Sequence, residues 1–173
     1  PLVMGVLNVT PDSFADGDRR FFDHAAALAQ ARALVVAGAD ILDIGGESTR
    51  PFAEPVPLDE ELRRVLPVIQ TLAPEINVPI SIDTYKAKVA RAALEAGATL
   101  INDISALRFD PDMAPLAAEL QAPVVLMHMQ GTPRDMQRQP HYHDLLGEIR
   151  DFFRERLDFA ATRGLPPELL VLD

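Results

Sequence analysis

Short apolar runs alternate along the chain with longer amphipathic stretches. The short runs fall at Leu2–Leu7, Asp40–Ile44, Val78–Ile82, Thr99–Ile101, Pro123–Met127 and Leu169–Leu172. Most are continuously apolar, the pattern of strands covered on both faces. Between them apolar residues recur with helical period. Leu58, Leu62, Val65, Leu66, Ile69 and Leu72 make one stripe, and Asp59, Glu60 and Glu61 in its first turn suit the positive end of a helix dipole. Leu146, Ile149, Phe153, Leu157 and Ala160 make another stripe. The junctions Ala37-Gly38-Ala39 and Ala96-Gly97-Ala98 supply matching glycine stops between a helix and the next strand.

Repeated strand–helix units predict an α/β fold with a parallel sheet, either open and doubly wound or closed into a barrel. An open sheet gathers its chemistry at one switch point, whereas a barrel draws it from the ends of several strands. Here nearly every strand ends in a polar group: Asn8, the segment Gly45-Gly46-Glu47-Ser48-Thr49-Arg50, Asp83, Asn102-Asp103, His128 and Asp173. That distribution predicts a TIM (β/α)8 barrel. Six of eight strands are present in 173 residues, against about 250 for a typical complete barrel. The expectation is one domain, residues 1–173, truncated at its C-terminus, with its first and sixth strands as open edges.

Composition narrows the partners. A net charge of −10 argues against a nucleic-acid surface. No apolar run is long enough to span a bilayer, and PLVMGVLNV lacks the basic leader of a signal peptide. The chain has no cysteine, which excludes thiolate catalysis and fits a reducing, cytoplasmic setting.

The strand ends carry the candidate chemistry. Asn8 offers a neutral carbonyl oxygen, suited to a Mg²⁺ ion that carries phosphates. It opens a long polar loop, Asn8 to Asp18, that reads as a binding loop rather than a spacer. Gly45 to Pro51 pairs flexible glycines with hydroxyls and Arg50, a combination suited to an anion, although no Gly-Lys-Ser phosphate loop is present. Asp83, Asn102 and Asp173 converge on one mouth, where they suit a metal, acid–base chemistry, or a heterocycle rich in N–H donors. His128 reads as a hydrogen-bonded residue holding its loop in preference to a metal ligand, His141 and His143 as capping or surface residues, and Asp43 as a structural acid.

Taken in order, MGVLNVTPDSF (Met4–Phe14), DIGGESTRP (Asp43–Pro51), SIDTYKAKVA (Ser81–Ala90), INDIS (Ile101–Ser105) and MHMQGTP (Met127–Pro133) closely resemble dihydropteroate synthases, the pterin-binding TIM barrels of folate synthesis. The resemblance covers the whole chain. It implies a transferase that condenses 6-hydroxymethyl-7,8-dihydropterin pyrophosphate with 4-aminobenzoate, releasing pyrophosphate. It further implies that Asp83, Asn102 and Asp173 hydrogen-bond the pterin and that Ile104 and Met127 pack around it. By the same resemblance Asn8 contacts Mg²⁺, and Asp16 stabilises the methylene cation left when pyrophosphate departs. Phe14, Thr49, Arg50 and Pro51 match the two loops that wrap aminobenzoate, where sulfonamides would compete. The family continues past Asp173 with two more strands carrying a lysine motif and an Arg-x-His pair, so the 173-residue chain alone is expected to be inactive. The family's dimer surface lies largely in later helices, which leaves a homodimer as a possibility for the full-length protein only.

Two other readings compete. A methyltetrahydrofolate-dependent corrinoid methyltransferase domain shares the pterin-binding acids, but NVTPDSF and GGESTRP serve pyrophosphate and aminobenzoate and argue against it. A non-catalytic pterin-binding barrel fragment is the second.

Overall fold

The computed structural model describes residues 1–10, 23–48, 55–133, 135–136 and 138–173. Among them lie six strands and five α-helices in alternation: β1 (Met4–Asn8), α1 (His24–Val36), β2 (Ile41–Gly45), α2 (Leu58–Leu72), β3 (Ile80–Asp83), α3 (Ala87–Glu95), β4 (Leu100–Asp103), α4 (Met113–Leu120), β5 (Val124–Leu126), α5 (Leu145–Thr162) and β6 (Leu170–Leu172). A short 3₁₀ turn, Pro167–Leu169, leads into β6.

All six strands are parallel and lie in sequential order, β1-β2-β3-β4-β5-β6. The order never reverses, so there is no switch point of the doubly wound kind. The sheet is singly wound in the barrel manner and is not closed: β1 and β6 are its two edges among the described residues.

The register fixes which side chains share a face. Val6 stands beside Asp43, Asp43 beside Ser81, Gly45 beside Asp83, and Asp83 beside Asn102. Side chains alternate along a strand, so these residues line the inner face. The outer face carries Leu7, Leu42, Ile44, Ile80, Ile82, Ile101, Val124 and Leu126, all buried under the helices. The main core therefore sits between sheet and helices, packed by Val65, Ile69 and Leu72 of α2, Val89 and Ala93 of α3, and Met113 and Leu116 of α4. The strands are thus not apolar on both faces, as their composition suggests: the inner face is polar at Asp43, Ser81 and Asp83. At the two edges Val6 and Val171 are about half exposed, at 52% each.

Local sequence sets the helix ends. Asp23 caps α1, its Oδ1 accepting from the Ala25 and Ala26 N–H groups at 2.9 and 3.1 Å. Asp144 caps α5 by accepting from Gly147 N–H, while Glu148 reaches back to His143 and Asp144 N–H. Gly97 ends α3 at φ +116°, and a Cβ there would lie 2.5 Å from that of Ala73, which explains the second of the two glycine stops. One expected core position fails: Leu146 is 80% exposed, and the buried side of α5 runs instead through Phe152, Phe153 and Ala160. No described helix is long and apolar enough to cross a membrane.

The division between faces has a measurable consequence. Leu42→Ala, emptying a fully buried site, is expected to cost about 2–5 kcal/mol of stability. Leu146→Ala should stay within about 0.5 kcal/mol of wild type. Urea unfolding of the two variants checks both values, and equal costs would refute the assignment of the core to the outer face.

Candidate active site at the strand ends

The inner face opens at the C-terminal strand ends, and the sequence-predicted residues meet there. Asp83 ends β3 beside Gly45 on one side and Asn102 on the other. The β5–β6 ladder extends one step beyond its strands, with Asp173 N–H donating to the Leu126 carbonyl at 2.9 Å and His128 N–H to the Asp173 carbonyl at 2.8 Å. Met127 and Asp173 are thereby paired, two residues above Val125 and Val171 on the same face. Asn8 ends β1 opposite Gly45 and is exposed. Ile104, just past β4, is 7% exposed. Asn8, Asp83, Asn102, Ile104, Met127 and Asp173 thus gather at one mouth. Phe14, Asp16, Thr49, Arg50 and Pro51 lie outside the described residues.

The floor of this mouth is acidic and imperfectly satisfied. Asn102 Nδ2 donates to Asp43 Oδ2 at 3.0 Å, which turns the Asn102 amide so that its nitrogen faces down and its oxygen is left for the mouth. Asp43 is 3% exposed, and burial raises its pKa against the opposing Ser81 hydroxyl and Asn102 amide. Asp43 Oδ1 and Ser81 Oγ have no hydrogen-bond partner of good geometry. The half-buried Asp83 carboxylate has no hydrogen bond among the described residues. Its pKa is pushed well above 3.8 by burial and then by the charges of Asp43, Glu61, Asp103 and Glu47. Gly45 makes room for it, since a Cβ there would stand 3.1 Å from Asp83 Oδ2 and 3.3 Å from its Cβ.

Asp103 has a different task. It is 1% exposed. Its two oxygens accept from Ser105 N–H at 2.8 Å and Leu107 N–H at 2.9 Å, folding the turn in which Ala106 and Leu107 take positive φ. Arg108 continues that loop by donating to the Ser105 and Met129 carbonyls at 2.7 and 3.2 Å. The His128 ring makes an edge contact with Phe152, centroids 4.8 Å apart, and lies near Tyr142 and Phe153. Burial first, and then Arg108, lower its pKa. The ring is packed among aromatics; among the described residues it is the backbone of His128, not its imidazole, that hydrogen-bonds and holds the strand end.

A second cluster went unread in the sequence. Lys86 Nζ donates to Glu47 at 2.6 Å, to the Val56 carbonyl at 2.7 Å, and to Glu61. Tyr85 O–H donates to Glu47 and Thr84 O–H to Glu61, each at 2.7 Å. Burial lowers the Lys86 pKa, but Glu47 and Glu61 outweigh it and the net shift is upward. Glu61, taken from the sequence as a first-turn acid serving the helix dipole, is 1% exposed and points into this cluster. The available signal was Thr84-Tyr85-Lys86 directly after the strand-end Asp83. No cluster of three or more metal-binding acids or histidines occurs among the described residues.

Residues 4–173 match the sequence profile of the pterin binding enzymes. The chain belongs to that family. It is 52% identical over 171 residues to a dihydropteroate synthase of Synechocystis, covering 99% of this chain and 59% of that protein. Among solved structures, Xanthomonas albilineans dihydropteroate synthase with 4-aminobenzoic acid superposes at a TM-score of 0.90 with 49% identity, over 100% of this chain and 60% of the other. Yersinia pestis dihydropteroate synthase in complex with a sulfonamide drug gives 0.91 and 46%, over 100% and 62%. The chain thus spans about 60% of the length of these relatives.

For a pterin-binding family member, the acidic floor predicts a trade between stability and function. An acid whose folded pKa lies above its unfolded value stabilises the fold at low pH, and that contribution is lost as pH rises through the folded pKa. Asp83 is such a group. Asp83→Asn should therefore melt at a higher temperature than wild type at pH 7, by a few degrees at about 1 kcal/mol, with the gap closing towards pH 4. Thermal melts across pH 4–8 test this. A variant less stable than wild type at pH 7 would show that the carboxylate is satisfied.

Proposed function

We propose that the full-length protein is a dihydropteroate synthase, joining 6-hydroxymethyl-7,8-dihydropterin pyrophosphate to 4-aminobenzoate with release of pyrophosphate. The observation that carries this reading is the Asp83 carboxylate, without a partner among the described residues, beside Asn102 and at the same mouth as Asp173. A pterin's amino-pyrimidinone edge offers N–H donors to carboxylates and an acceptor or donor to an amide. Asp83 and Asp173 would take the donors, Asn102 would complete the edge, and Ile104 and Met127 would pack on the ring. Relatives that are dihydropteroate synthases and have been solved with 4-aminobenzoic acid and with a sulfonamide support the same assignment.

The electrostatics also suit the chemistry. Departure of pyrophosphate leaves positive charge on the pterin methylene, and an inner face carrying Asp43 and Asp83 favours a cation over a neutral group. Asp16, outside the described residues, is assigned by resemblance the role of stabilising that cation. The same acids oppose the pyrophosphate, so its charge must be met elsewhere. Asn8 fits this need, being exposed, neutral and on the inner face opposite Gly45. Its amide oxygen would serve Mg²⁺, an ion commonly held by few protein oxygens with the substrate's phosphates. When bound, the metal would neutralise the leaving group. Phe14, Thr49, Arg50 and Pro51 are assigned to the loops that close on aminobenzoate. The strands that complete the barrel would come from the part of the relatives' length beyond this chain.

Dihydropteroate formation by the full-length protein, with both substrates and Mg²⁺, is the direct test. Asp83→Asn and Asp173→Asn should each lower kcat/KM about 10- to 100-fold, as expected for losing a charge-assisted hydrogen bond. A sulfonamide should compete with aminobenzoate. Titration calorimetry that finds methyltetrahydrofolate bound and dihydropterin pyrophosphate refused would replace this reading with the corrinoid methyltransferase. A rate indifferent to Mg²⁺ would remove the role given to Asn8.

A further inference from the structure

The second βα loop leaves β2 at Gly45 and returns through Pro55–Pro57 into α2. Its two described feet meet on one side chain. From the outgoing foot, Glu47 Oε2 accepts from Lys86 Nζ at 2.6 Å and from Val56 N–H at 3.0 Å, while Oε1 accepts from Tyr85 O–H at 2.7 Å. On the returning foot, the Val56 carbonyl accepts from Lys86 Nζ at 2.7 Å. The third partner of Lys86 is Glu61, on α2. An ammonium has three donors, and all three are engaged: one for each foot and one for the helix behind them.

We propose that Lys86 is a positioning residue for aminobenzoate: by holding Glu47 and Val56 together against α2, it sets the span of the second loop and so the affinity for the second substrate. This rests on the assignment of that loop to aminobenzoate made above. The network has two separable halves. Lys86, Glu61 and Thr84 join α2 to the end of β3 and belong to the packed body, with Glu61 and Thr84 buried. The hydrogen bonds from Val56 N–H and Tyr85 O–H to Glu47 serve the loop feet, while the Tyr85 ring, which Tyr85→Phe would keep, packs edge-on against Phe109. The side chains that bind the feet follow Asp83 directly in sequence, yet none of them lies on the inner face of a strand where the pterin is assigned. Loss of the loop half should therefore weaken one substrate and spare the other.

Glu47→Ala in the full-length protein separates these effects, because the Lys86–Glu61 and Thr84–Glu61 contacts remain. KM for aminobenzoate should rise about five- to tenfold, the loss of one or two hydrogen bonds to a charged group. KM for dihydropterin pyrophosphate should stay within about twofold, the melting temperature within a few degrees. Hydrogen exchange at the Val56 amide should accelerate, since its acceptor is gone. Tyr85→Phe should move the same quantities in the same directions by less, and it takes the place of Glu47→Ala if that variant does not fold. An equal rise in both KM values would make the network merely structural and overturn the proposal, as would an unchanged KM for aminobenzoate beside faster Val56 exchange. A wild type that forms no dihydropteroate would instead overturn the functional reading and the aminobenzoate clause with it, while Val56 exchange would still decide the anchoring.

Discussion

The two-residue alternation of side chains, held in register across six parallel strands, is the constraint on which fold and site both depend. Gly45, Asp83 and Asn102 stand side by side because each ladder pairs them in turn. Their sequence neighbours Ile44, Ile82 and Ile101 are sent to the opposite face for the same reason, where all three are fully buried. A slip of one residue in any strand would invert that strand's faces. It would carry Ile82 into the mouth and press Asp83 under the helices. The buried isoleucines thus lock the height and direction of the carboxylate, and the site inherits its geometry from the core.

That inheritance comes with an electrostatic load. Asp43, Glu47, Glu61, Asp83 and Asp103 are close enough for four of them to raise the pKa of the fifth. Two are paired by short contacts: Glu47 and Glu61 share Lys86, which offsets one of their two charges. Asp103 is satisfied by the backbone of its own loop. Asp43 is half satisfied by Asn102. Asp83 faces the mouth with no hydrogen bond among the described residues. Folding does not favour leaving one carboxylate buried beside others. Under the proposed reading a ligand with N–H donors relieves that cost, so the fold itself favours binding one.

The elements and the strand-end residues were legible in the sequence because both rest on local pattern. Apolar runs of strand length, helical stripes and glycine stops each need only a few neighbouring residues, and a polar residue that ends a strand is visible as such. The failures needed three dimensions. Glu61 sits among acids at a helix start, where the dipole is explanation enough; only the return of Lys86, 25 residues on, shows that it is buried. Leu146 matches the helical period, but α5 turns that position outward in its first turn. Continuous apolar composition suggested strands covered on both faces, whereas the inner faces of β2 and β3 carry Asp43 and Ser81, spaced two residues from Gly45 and Asp83. His128 drew attention as a lone strand-end histidine, yet its ring lies among aromatics that arrive from α5.

The two clusters also divide the labour that the proposed reaction would require. The strand ends offer acids and amides on a rigid frame, which suits a flat heterocycle with a fixed donor pattern and a methylene that becomes positive. They cannot also welcome a pyrophosphate, because the charges that favour the cation repel the anion at the same distances. Under the proposed reading the anion must then be handled by groups that are not part of this floor, and a Mg²⁺ ion held at the neutral Asn8, with Arg50 of the second loop, would meet that need. Whatever binds through a loop depends on how its ends are held. Lys86 supplies fixed ends: it grips both feet of the second loop from a half-buried position and adds a positive charge between two carboxylates. Under the proposed reading, separating an acidic pterin floor from an anchored loop would resolve a conflict of charge that one rigid pocket could not.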